Sequence, residues 1–301
     1  RATEDMMNLS VSFQLGDITK LDSLLSATHP ETDLFFHCAG LWTDWATKDE
    51  YWLANVEGTK NALEVARRRD VHHFVHTSST TVYGFPNSFD PINEDFPKRP
   101  KGNYPESKYA AEQLVWEYER DYGLRISIIR APIVVGYGDT YLTPLIVNLV
   151  KERKWKHIGR KDHLQSYVHV DDVAKCMILA AENPSKSKGE AFNVVSFVTK
   201  QNKFLEALSK EFRVCSRLWV IPFWVALGVS KVLSRIYKIM NRTDGPLYTP
   251  LKVRTIGSDI FIDAGKAIRE LGYEPSWDIK STAKDMIAWC EINSEILSSN
   301  I

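Results

Sequence analysis

Short apolar segments alternate with longer helical segments through the first half of this chain, and this order constrains the fold more than any other feature. Strand-like segments cover 33–38, 73–79 and 125–130, while 49–69 and 104–122 have the length and periodicity of helices. Strands separated by helices at this spacing form a parallel sheet covered by helices. The sequence therefore predicts an α/β protein with a doubly wound parallel sheet.

Weaker patterns predict the other elements and a division into a sheet domain and a lobe. We expect strands at 11–15, 167–170 and 192–195, helices at 19–28, 141–155, 203–212, 264–272 and 280–296, and a polar loop at 84–103. The strand at 33–38 is apolar enough to be buried on both faces, and Asp171 or Asp172 is the expected N-cap of the following helix. We assign 1–140, 165–172 and 190–199 to the sheet domain, and the remainder of 141–301 mostly to a C-terminal substrate lobe.

Small or polar residues lie where the predicted strands end. They are Asp17, Cys38-Ala39-Gly40, Ser78-Ser79 and Pro132. Because ligands of open parallel sheets bind beyond the carboxyl ends of the strands, we expect these residues to share one site. We interpret His37 and His76 as core residues, and Cys38 as small and buried rather than reactive.

The segment Asn103-Tyr104-Pro105-Glu106-Ser107-Lys108 carries a candidate acid–base pair. On a helix, Tyr104 and Lys108 leave the same face one turn apart. A phenol ordinarily has a pKa of about 10, and a neighbouring ammonium favours the phenolate. The Ser79 hydroxyl can hold the oxygen that gains or loses the proton. This trio suits the interconversion of an alcohol and a carbonyl with the help of a hydride carrier.

Composition narrows the class of partner and the compartment. The formal net charge is zero, so no global field attracts nucleic acid or an anionic membrane. Cys38, Cys176, Cys215 and Cys290 lack the spacing of a metal site or a disulfide framework. The N-terminus is not a signal peptide. We therefore expect a cytoplasmic protein with reduced cysteines, a small-molecule substrate, no metal and no nucleic-acid partner.

With these features the chain resembles the extended short-chain dehydrogenases/reductases over 11–289. The motifs that carry the resemblance are Gly16-Asp17-Ile18, His37-Cys38-Ala39-Gly40, Asn55-Val56-Glu57-Gly58-Thr59, Thr77-Ser78-Ser79-Thr80-Thr81-Val82-Tyr83-Gly84, Tyr104-Pro105-Glu106-Ser107-Lys108, Arg130-Ala131-Pro132 and Tyr167-Val168-His169-Val170-Asp171-Asp172-Val173-Ala174. The resemblance implies a Rossmann domain that binds NAD or NADP. It also implies a homodimer that pairs the helices at 49–69 and 104–122 through exposed Ala and Leu side chains.

The resemblance further implies roles for individual residues. Tyr104 would be the catalytic acid/base, Lys108 would lower its pKa and bind the nicotinamide ribose, and Ser79 would orient the substrate oxygen. The implied cofactor contacts are Asp17 and Ile18 at the adenine, Cys38, Ala39, Gly40 and Ser78 along the strand ends, Asn55 between the sheet end and the cofactor, and Pro132, Ile133 and Val134 at the nicotinamide.

One feature of these enzymes has no counterpart in this sequence. They begin with a strand and a Gly-x-x-Gly-x-x-Gly turn that holds the cofactor pyrophosphate at a helix N-terminus. Arg1 falls where their second strand would be ending. Either a preceding segment is missing from this chain, which we favour, or the chain cannot hold a dinucleotide in the usual way. The choice between NAD and NADP depends on that segment and stays open.

The C-terminal third resembles the branch that contains the 3β-hydroxysteroid dehydrogenases, through residues 219–226, 247–253 and 267–275. This branch implies an oxidoreductase that interconverts a hydroxyl and a ketone on a steroid-like or lipid-like substrate. Residues 82–84 and 167–173 look equally like those of nucleotide-sugar epimerases and dehydratases. Such an enzyme could grip a diphosphate with Arg153, Lys154, Lys156, Arg160 and Arg254. A third alternative is a non-catalytic binding protein on the same fold.

The aromatic and basic segment 218–240 has three interpretations. Lys231, Arg235 and Lys238 interrupt it, which disfavours a membrane-spanning helix. The segment could line the pocket of an apolar substrate, form part of the domain core, or lie on a membrane surface.

Overall fold

The computed structural model describes residues 11–214 and 219–293, and it confirms the predicted α/β class. The largest sheet is parallel and has the strand order β1-β2-β4-β8. The strands are β1 Leu34–His37, β2 His73–Ser79, β3 Ser88–Ile92, β4 Ile126–Ala131, β5 Ile133–Val135, β6 Lys156–Ile158, β7 Leu164–His169, β8 Glu190–Asn193, β9 Phe197–Lys200, β10 Trp219–Ile221 and β11 Ile260–Ile262. The α-helices are α1 Leu21–Ala27, α2 Lys48–Tyr51, α3 Gly58–Arg68, α4 Asn103–Tyr122, α5 Leu142–Lys151, α6 Val170–Glu182, α7 Pro184–Ser187, α8 Gln201–Glu211, α9 Phe223–Ile239, α10 Pro250–Ile256 and α11 Ile279–Ile292.

Helices cover both faces of the parallel sheet. Consecutive residues of β2 point to opposite faces, as the pleat of a strand requires. Phe74 lies in one buried apolar cluster with Leu63 of α3 and Val115 of α4. Val75 lies in a different cluster with Met177 of α6. The sheet therefore has an apolar core on each side, as expected of a doubly wound fold.

Two predictions near the N-terminus are wrong. Residues 11–15 form no strand, and the Leu15 side chain is fully exposed. β1 is not buried on both faces, since Leu34 and Phe36 are each 40% exposed. The physical reason is that β1 is the outermost strand of the sheet in the described residues, and a run of apolar residues does not reveal the position of a strand in its sheet.

The helix predicted at 49–69 contains an irregular turn. α2 continues through a π-helical segment, Trp52–Glu57, into α3. Thr47 begins this helix with a capping box, in which its side chain accepts from the Glu50 N–H and its own N–H donates to the Glu50 carboxylate. Single π-helical turns inside α-helices are frequent at functional sites, and this one contains Asn55.

The C-terminal half is more interleaved with the sheet domain than we predict from the sequence. Residues 173–182, which we assign to the lobe, belong to α6 and cover the parallel sheet. β5, β7 and β9 form a second sheet, and side chains of α5, α8 and α11 form an apolar core with it. The two short remaining sheets pair β10 with β6 and β11 with β3. The division into two domains otherwise stays a prediction.

The structure corrects two further predictions. The loop predicted at 84–103 contains β3, which pairs with β11 near the C-terminus, so that its strand character depends on a distant partner. The N-cap of α6 is His169 and neither aspartate: His169 Nδ1 accepts a hydrogen bond from the Asp171 N–H at 3.2 Å. Asp172 is buried and accepts from Ser196 Oγ at 2.5 Å.

Candidate functional site

The carboxyl ends of β1, β2 and β4 meet at one edge of the parallel sheet. β2 ends at Ser79, whose register partner in β4 is Ala131, so that Pro132 comes directly beside it. On the other side of β2, Thr77 Oγ1 donates to Cys38 Sγ at 3.4 Å, which joins the ends of β2 and β1. The structure thus brings these strand-end residues together.

Ser79 is held with its proton free to donate. It is the N-cap of the 3₁₀ turn Thr80–Tyr83, and its Oγ accepts from the Thr81 N–H at 3.3 Å and from Thr81 Oγ1 at 3.0 Å. A hydroxyl oxygen has two lone pairs, and both are used here. The Ser79 O–H is therefore left to donate, and Ser79 lies close enough to the Tyr104 phenol to act on its pKa.

Tyr104 and Lys108 leave the first turns of α4 beside the end of β2. Lys108 Nζ donates to the Thr77 carbonyl at 2.6 Å. Burial lowers the pKa of Lys108 to about 8, against the attraction of Glu112. Burial raises the pKa of Tyr104, and Ser79 opposes that rise. Burial therefore decides the direction of the Tyr104 pKa, and the phenol is protonated at neutral pH. The lowering of this pKa by Lys108 stays a prediction.

Asn55 connects the loop after β1 to the helix that carries Tyr104. Its Oδ1 accepts from the Leu41 N–H at 2.6 Å, and its Nδ2 donates to the Leu41 carbonyl at 2.9 Å. Nδ2 also donates to Ser107 Oγ at 2.9 Å, and Ser107 Oγ donates to the Tyr104 carbonyl at 2.9 Å. The amide therefore positions both the loop and the first turn of α4, and its predicted contact with a cofactor stays a prediction.

Residues 38–40 directly follow β1 and are open to solvent; we call them the strand-end shelf. Cys38, Ala39 and Gly40 are exposed, so the prediction that Cys38 is buried is wrong. It follows an outermost strand of the described sheet, where few neighbours cover it. A Cβ atom at Gly40 would lie 2.9 Å from Asn55 Oδ1. Only glycine therefore lets the shelf run this close to Asn55.

The described residues fit a nicotinamide nucleotide at this edge. Lys108 is buried, and its one hydrogen-bond acceptor among them is the Thr77 carbonyl. An ammonium has three N–H donors, so two remain for the hydroxyls of a ribose. Pro132, Ile133 and Val134 lie half-buried beside the end of β2 and offer an apolar wall. The strand-end shelf leaves room for the backbone of a dinucleotide.

Asp17 and Ile18 form the turn before α1. The Asp17 carboxylate accepts from Thr19 Oγ1 at 2.7 Å and from the Thr19 N–H at 2.9 Å, and these bonds lower its pKa. The Ile18 carbonyl accepts from Asn61 Nδ2 at 2.8 Å, which fixes the turn on α3. The Asp17 side chain stays 44% exposed and can still accept from an external amino group. Contact with adenine remains a prediction.

Ser78 faces away from the shelf, into a buried network that sequence reasoning missed. Its Oγ donates to Glu112 Oε1 at 2.5 Å. Arg130 forms two hydrogen bonds to the same carboxylate, at 3.0 and 2.9 Å, and one to Tyr83 Oη at 2.9 Å. Glu112 follows Lys108 by one turn on the same face of α4, so this network fixes the rotation of the helix about its axis. The four-residue spacing was the available signal.

Loop 41–46 is also tied to the site, and sequence reasoning missed it as well. The Tyr51 hydroxyl donates to the Thr43 carbonyl, and the Tyr51 and Tyr104 rings lie with their centroids 5.9 Å apart. A residue of α2 thus joins this loop to the proposed acid.

Asp44 holds the same loop to the C-terminal half. Its carboxylate accepts from the Tyr141 hydroxyl, from Thr249 Oγ1 at 2.5 Å, and pairs with Lys252 Nζ at 3.2 Å. Lys252 Nζ in turn donates to Tyr141 Oη at 2.7 Å. We call these four residues the Asp44 cluster. They connect the loop to the start of α5 and to α10.

His37 and His76 are core residues, as predicted. His37 Nε2 lies 3.0 Å from Thr59 Oγ1, and the two imidazole rings stack with centroids 5.4 Å apart. Burial lowers the pKa of His37 to about 3 and that of His76 well below its ordinary value, with the Lys108 charge acting in the same direction. Both are neutral at neutral pH.

Comparison with known proteins identifies a matching family model and similar enzymes. A family model described as the NAD dependent epimerase/dehydratase family matches residues 1–194. A ketoreductase of Stigmatella aurantiaca, named for 4-hydroxy-2-methyl-3-oxo-4-farnesyl-3,4-dihydroquinoline-1-oxide, is 28% identical over 80% of this chain and 72% of its own length. The decarboxylating sterol-4-alpha-carboxylate 3-dehydrogenase of Mus musculus is 27% identical over 89% of this chain and 76% of its own.

A solved structure has the same fold. The UDP-glucuronic acid 4-epimerase of Bacillus cereus, solved in complex with NAD, superposes with a TM-score of 0.71 at 18% identity. The match covers 92% of this chain and 79% of that one.

Proposed function

The chain belongs to the NAD dependent epimerase/dehydratase family, as an extended short-chain dehydrogenase/reductase that uses NAD or NADP, and we propose that it interconverts a hydroxyl and a ketone on an apolar substrate. The observation that carries the proposal is the placement of Tyr104 next to Ser79 at the end of β2, with Lys108 one turn further along α4 and bonded to the Thr77 carbonyl. The relatives support the substrate class, since the names of both specify an oxygen function on a largely hydrocarbon skeleton.

The side chains have distinct tasks in this reaction. The nicotinamide, when bound, would supply or accept the hydride. Ser79 would donate its O–H to the substrate oxygen, since its Oγ lone pairs already accept from Thr81. Tyr104 donates its proton to that oxygen in the direction of reduction and takes it back in the direction of oxidation. The raised pKa of Tyr104 keeps its phenol protonated, which suits proton donation to a ketone. Lys108 would bind the ribose hydroxyls and, when charged, would favour the phenolate left behind.

Two of the five candidate diphosphate-binding residues of a nucleotide-sugar enzyme already form ion pairs. Arg160 already pairs with Asp259 at 2.5 Å and with Asp162 at 3.3 Å. Lys154 pairs with Glu152 at 2.7 Å. Cations engaged in this way are poorly placed to bind the two phosphates of a sugar nucleotide.

Turnover by the wild-type protein and by Tyr104→Phe tests the proposal. Ketones of sterols and of long-chain acids are offered with NADH and with NADPH, and UDP-sugars are offered in parallel. We expect net oxidation of the reduced cofactor with an apolar ketone, and a kcat lower by about 10²–10⁴-fold in Tyr104→Phe. Cofactor binding, followed by the fluorescence of NADH, should be unchanged by the substitution.

The control is Tyr122→Phe, which changes an exposed tyrosine at the other end of α4. It should turn over like the wild type. Full turnover by Tyr104→Phe would refute the assignment of the acid. Epimerisation of a UDP-sugar without net oxidation of NADH would favour the nucleotide-sugar alternative, and failure to bind NADH or NADPH would favour the non-catalytic one.

A further inference from the structure

α9 buries small polar residues and exposes large apolar ones. Its buried residues are Ser230 and Ser234. The Trp224 and Ile239 side chains are 77% and 81% exposed. Other exposed apolar side chains on α9 and next to it are Trp219, Val220, Val229, Val232, Leu233, Ile236, Met240 and Leu247. The interpretation of this segment as domain core is therefore wrong. An apolar face of this extent on one helix marks an interaction surface.

The same surface carries charge of one sign. Residues 219–243 contain Lys231, Arg235, Lys238 and Arg242 but no aspartate or glutamate. All four cations are exposed. Lys231 and Arg235 have no ion-pair partner among the residues that the structure describes, whereas Arg242 pairs with Asp244 at 2.7 Å. The partner of this face must therefore accept apolar side chains and carry negative charge.

We propose that α9, with β10 and residues 240–243, docks onto the surface of an anionic bilayer. Trp224 and Ile239 would enter the boundary between headgroups and acyl chains, while Lys231 and Arg235 extend to the phosphates. Aromatic residues favour this boundary, and Trp219 has a cation above its ring, since Lys156 Nζ lies 5.5 Å from the ring centroid. No helix in 11–214 or 219–293 has the length and apolar character needed to cross a bilayer.

A second copy of the chain is a poorer occupant of this face. An isologous interface would place the cations of one α9 against those of the other. Like charges brought together at an interface oppose association. An anionic lipid surface is attracted by the same charges.

The docking face is next to the proposed cleft. Tyr237 of α9 packs edge-on against Trp45 of loop 41–46, with ring centroids 6.2 Å apart. The same loop accepts a hydrogen bond from Tyr51, which contacts Tyr104. A bilayer under α9 would lie close to the entrance for an apolar substrate, and this last step rests on the proposed function.

Vesicle sedimentation tests the docking without any substrate, so that its failure and failure of the proposed reaction are distinguishable. The full chain is spun with vesicles of phosphatidylcholine alone, or with about 30% phosphatidylserine, in low salt and at about 0.5 M salt. We expect binding to the anionic vesicles that is weakened by salt, and much weaker binding to phosphatidylcholine alone. The double variant Lys231→Gln/Arg235→Gln should lower the partition coefficient by about 25-fold, roughly fivefold for each cation.

The double variant Trp224→Ser/Ile239→Ser tests the apolar part of the face and should also abolish most binding. Ile178→Ser is the matched control, because Ile178 is an exposed apolar residue on α6, outside the docking face; it should bind like the wild type. Equal binding to both kinds of vesicle, or none to either, would overturn the proposal. So would a stable dimer in solution that the Trp224→Ser/Ile239→Ser variant converts to monomer.

Discussion

The ring of Tyr51 lies tilted against the ring of Tyr104, with the centroids 5.9 Å apart and the planes at 57°. Tyr51 is buried, and its hydroxyl donates to the Thr43 carbonyl. The proposed acid therefore has an aromatic neighbour that is anchored to loop 41–46.

Replacing Tyr51 should impair the reaction without weakening cofactor binding. Tyr51→Leu removes the ring that supports Tyr104, and we expect kcat to fall by about 10–100-fold, as small misplacements of a catalytic group do. Tyr51→Phe keeps the ring and loses only the bond to Thr43, so its kcat should fall less. Steady-state kinetics and NADH titration measure both effects. A Tyr51→Leu variant with wild-type kcat would show that the contact does not position Tyr104.

Asp44→Asn should loosen loop 41–46 and destabilise the protein. The substitution leaves Lys252 without its anionic partner and weakens the bonds from Tyr141 and Thr249. Hydrogen bonds to a charged group contribute about 1.5–3 kcal/mol each, and we expect a loss of that order in the free energy of unfolding. KM for the substrate should rise as well. The control is Asp49→Asn at an exposed aspartate, which should change neither the free energy of unfolding nor KM. Urea unfolding measures the first and steady-state kinetics the second.

His76 should make the fold sensitive to acid. Its folded-state pKa lies below the ordinary value of 6.5, so below about pH 6.5 the unfolded chain binds a proton that the native one does not. The free energy of unfolding therefore falls as the pH falls. His76→Leu should remove about 1.4 kcal/mol per pH unit from this slope.

At neutral pH the same substitution should cost little, since neither nitrogen of His76 has a hydrogen-bond partner in the described part of the chain. Urea unfolding between pH 7 and pH 5 measures the slope. An unaltered slope in His76→Leu would show that His76 is protonated as readily in the native state as in the unfolded chain.

Cys38 should report on the cofactor site. It is exposed at the strand-end shelf, while Cys176 and Cys290 are buried, so a maleimide should label Cys38 faster than those two. Labelling of Cys38 should proceed only on sites that NADH leaves free. At an NADH concentration 100 times the dissociation constant, the labelling rate should therefore fall about 100-fold. Peptide mapping by mass spectrometry separates Cys38 from Cys215, which lies outside the described residues. Labelling of Cys38 that ignores NADH would remove the shelf from the cofactor site.

Local patterns were enough for the parts of the fold that local physics determines. The helix at 104–122 and the spacing of Tyr104 and Lys108 follow from helical periodicity, and the ends of β1, β2 and β4 follow from apolar runs that stop at small residues. The dimer prediction rests on weaker ground. The dimer prediction requires exposed Ala and Leu side chains on α3, but this helix buries Ala62, Leu63 and Ala66 against the sheet. The homodimer stays a prediction.

Features that depend on distant partners could not be predicted. Asp44 and Thr249 are 205 residues apart in the chain, and no local pattern joins them. β3 depends in the same way on β11. For residues 218–240 the composition indicated only an aromatic and basic segment. Which face of α9 packs inward is decided by the contact of Tyr237 with Trp45 and by Phe223 lying against Gly257.

The π-helical turn at Trp52–Glu57 sets an angular offset between two halves of one helix. Such a turn bonds each residue to the fifth one along instead of the fourth, so it holds one residue more than α-helical winding needs. Without that residue, everything before it would rotate by about 100° relative to α3. Tyr51 would then swing away from Tyr104 while Thr59 stayed with His37. Because of this one additional residue, the N-terminal half of the helix contacts the proposed acid while the C-terminal half contacts the sheet.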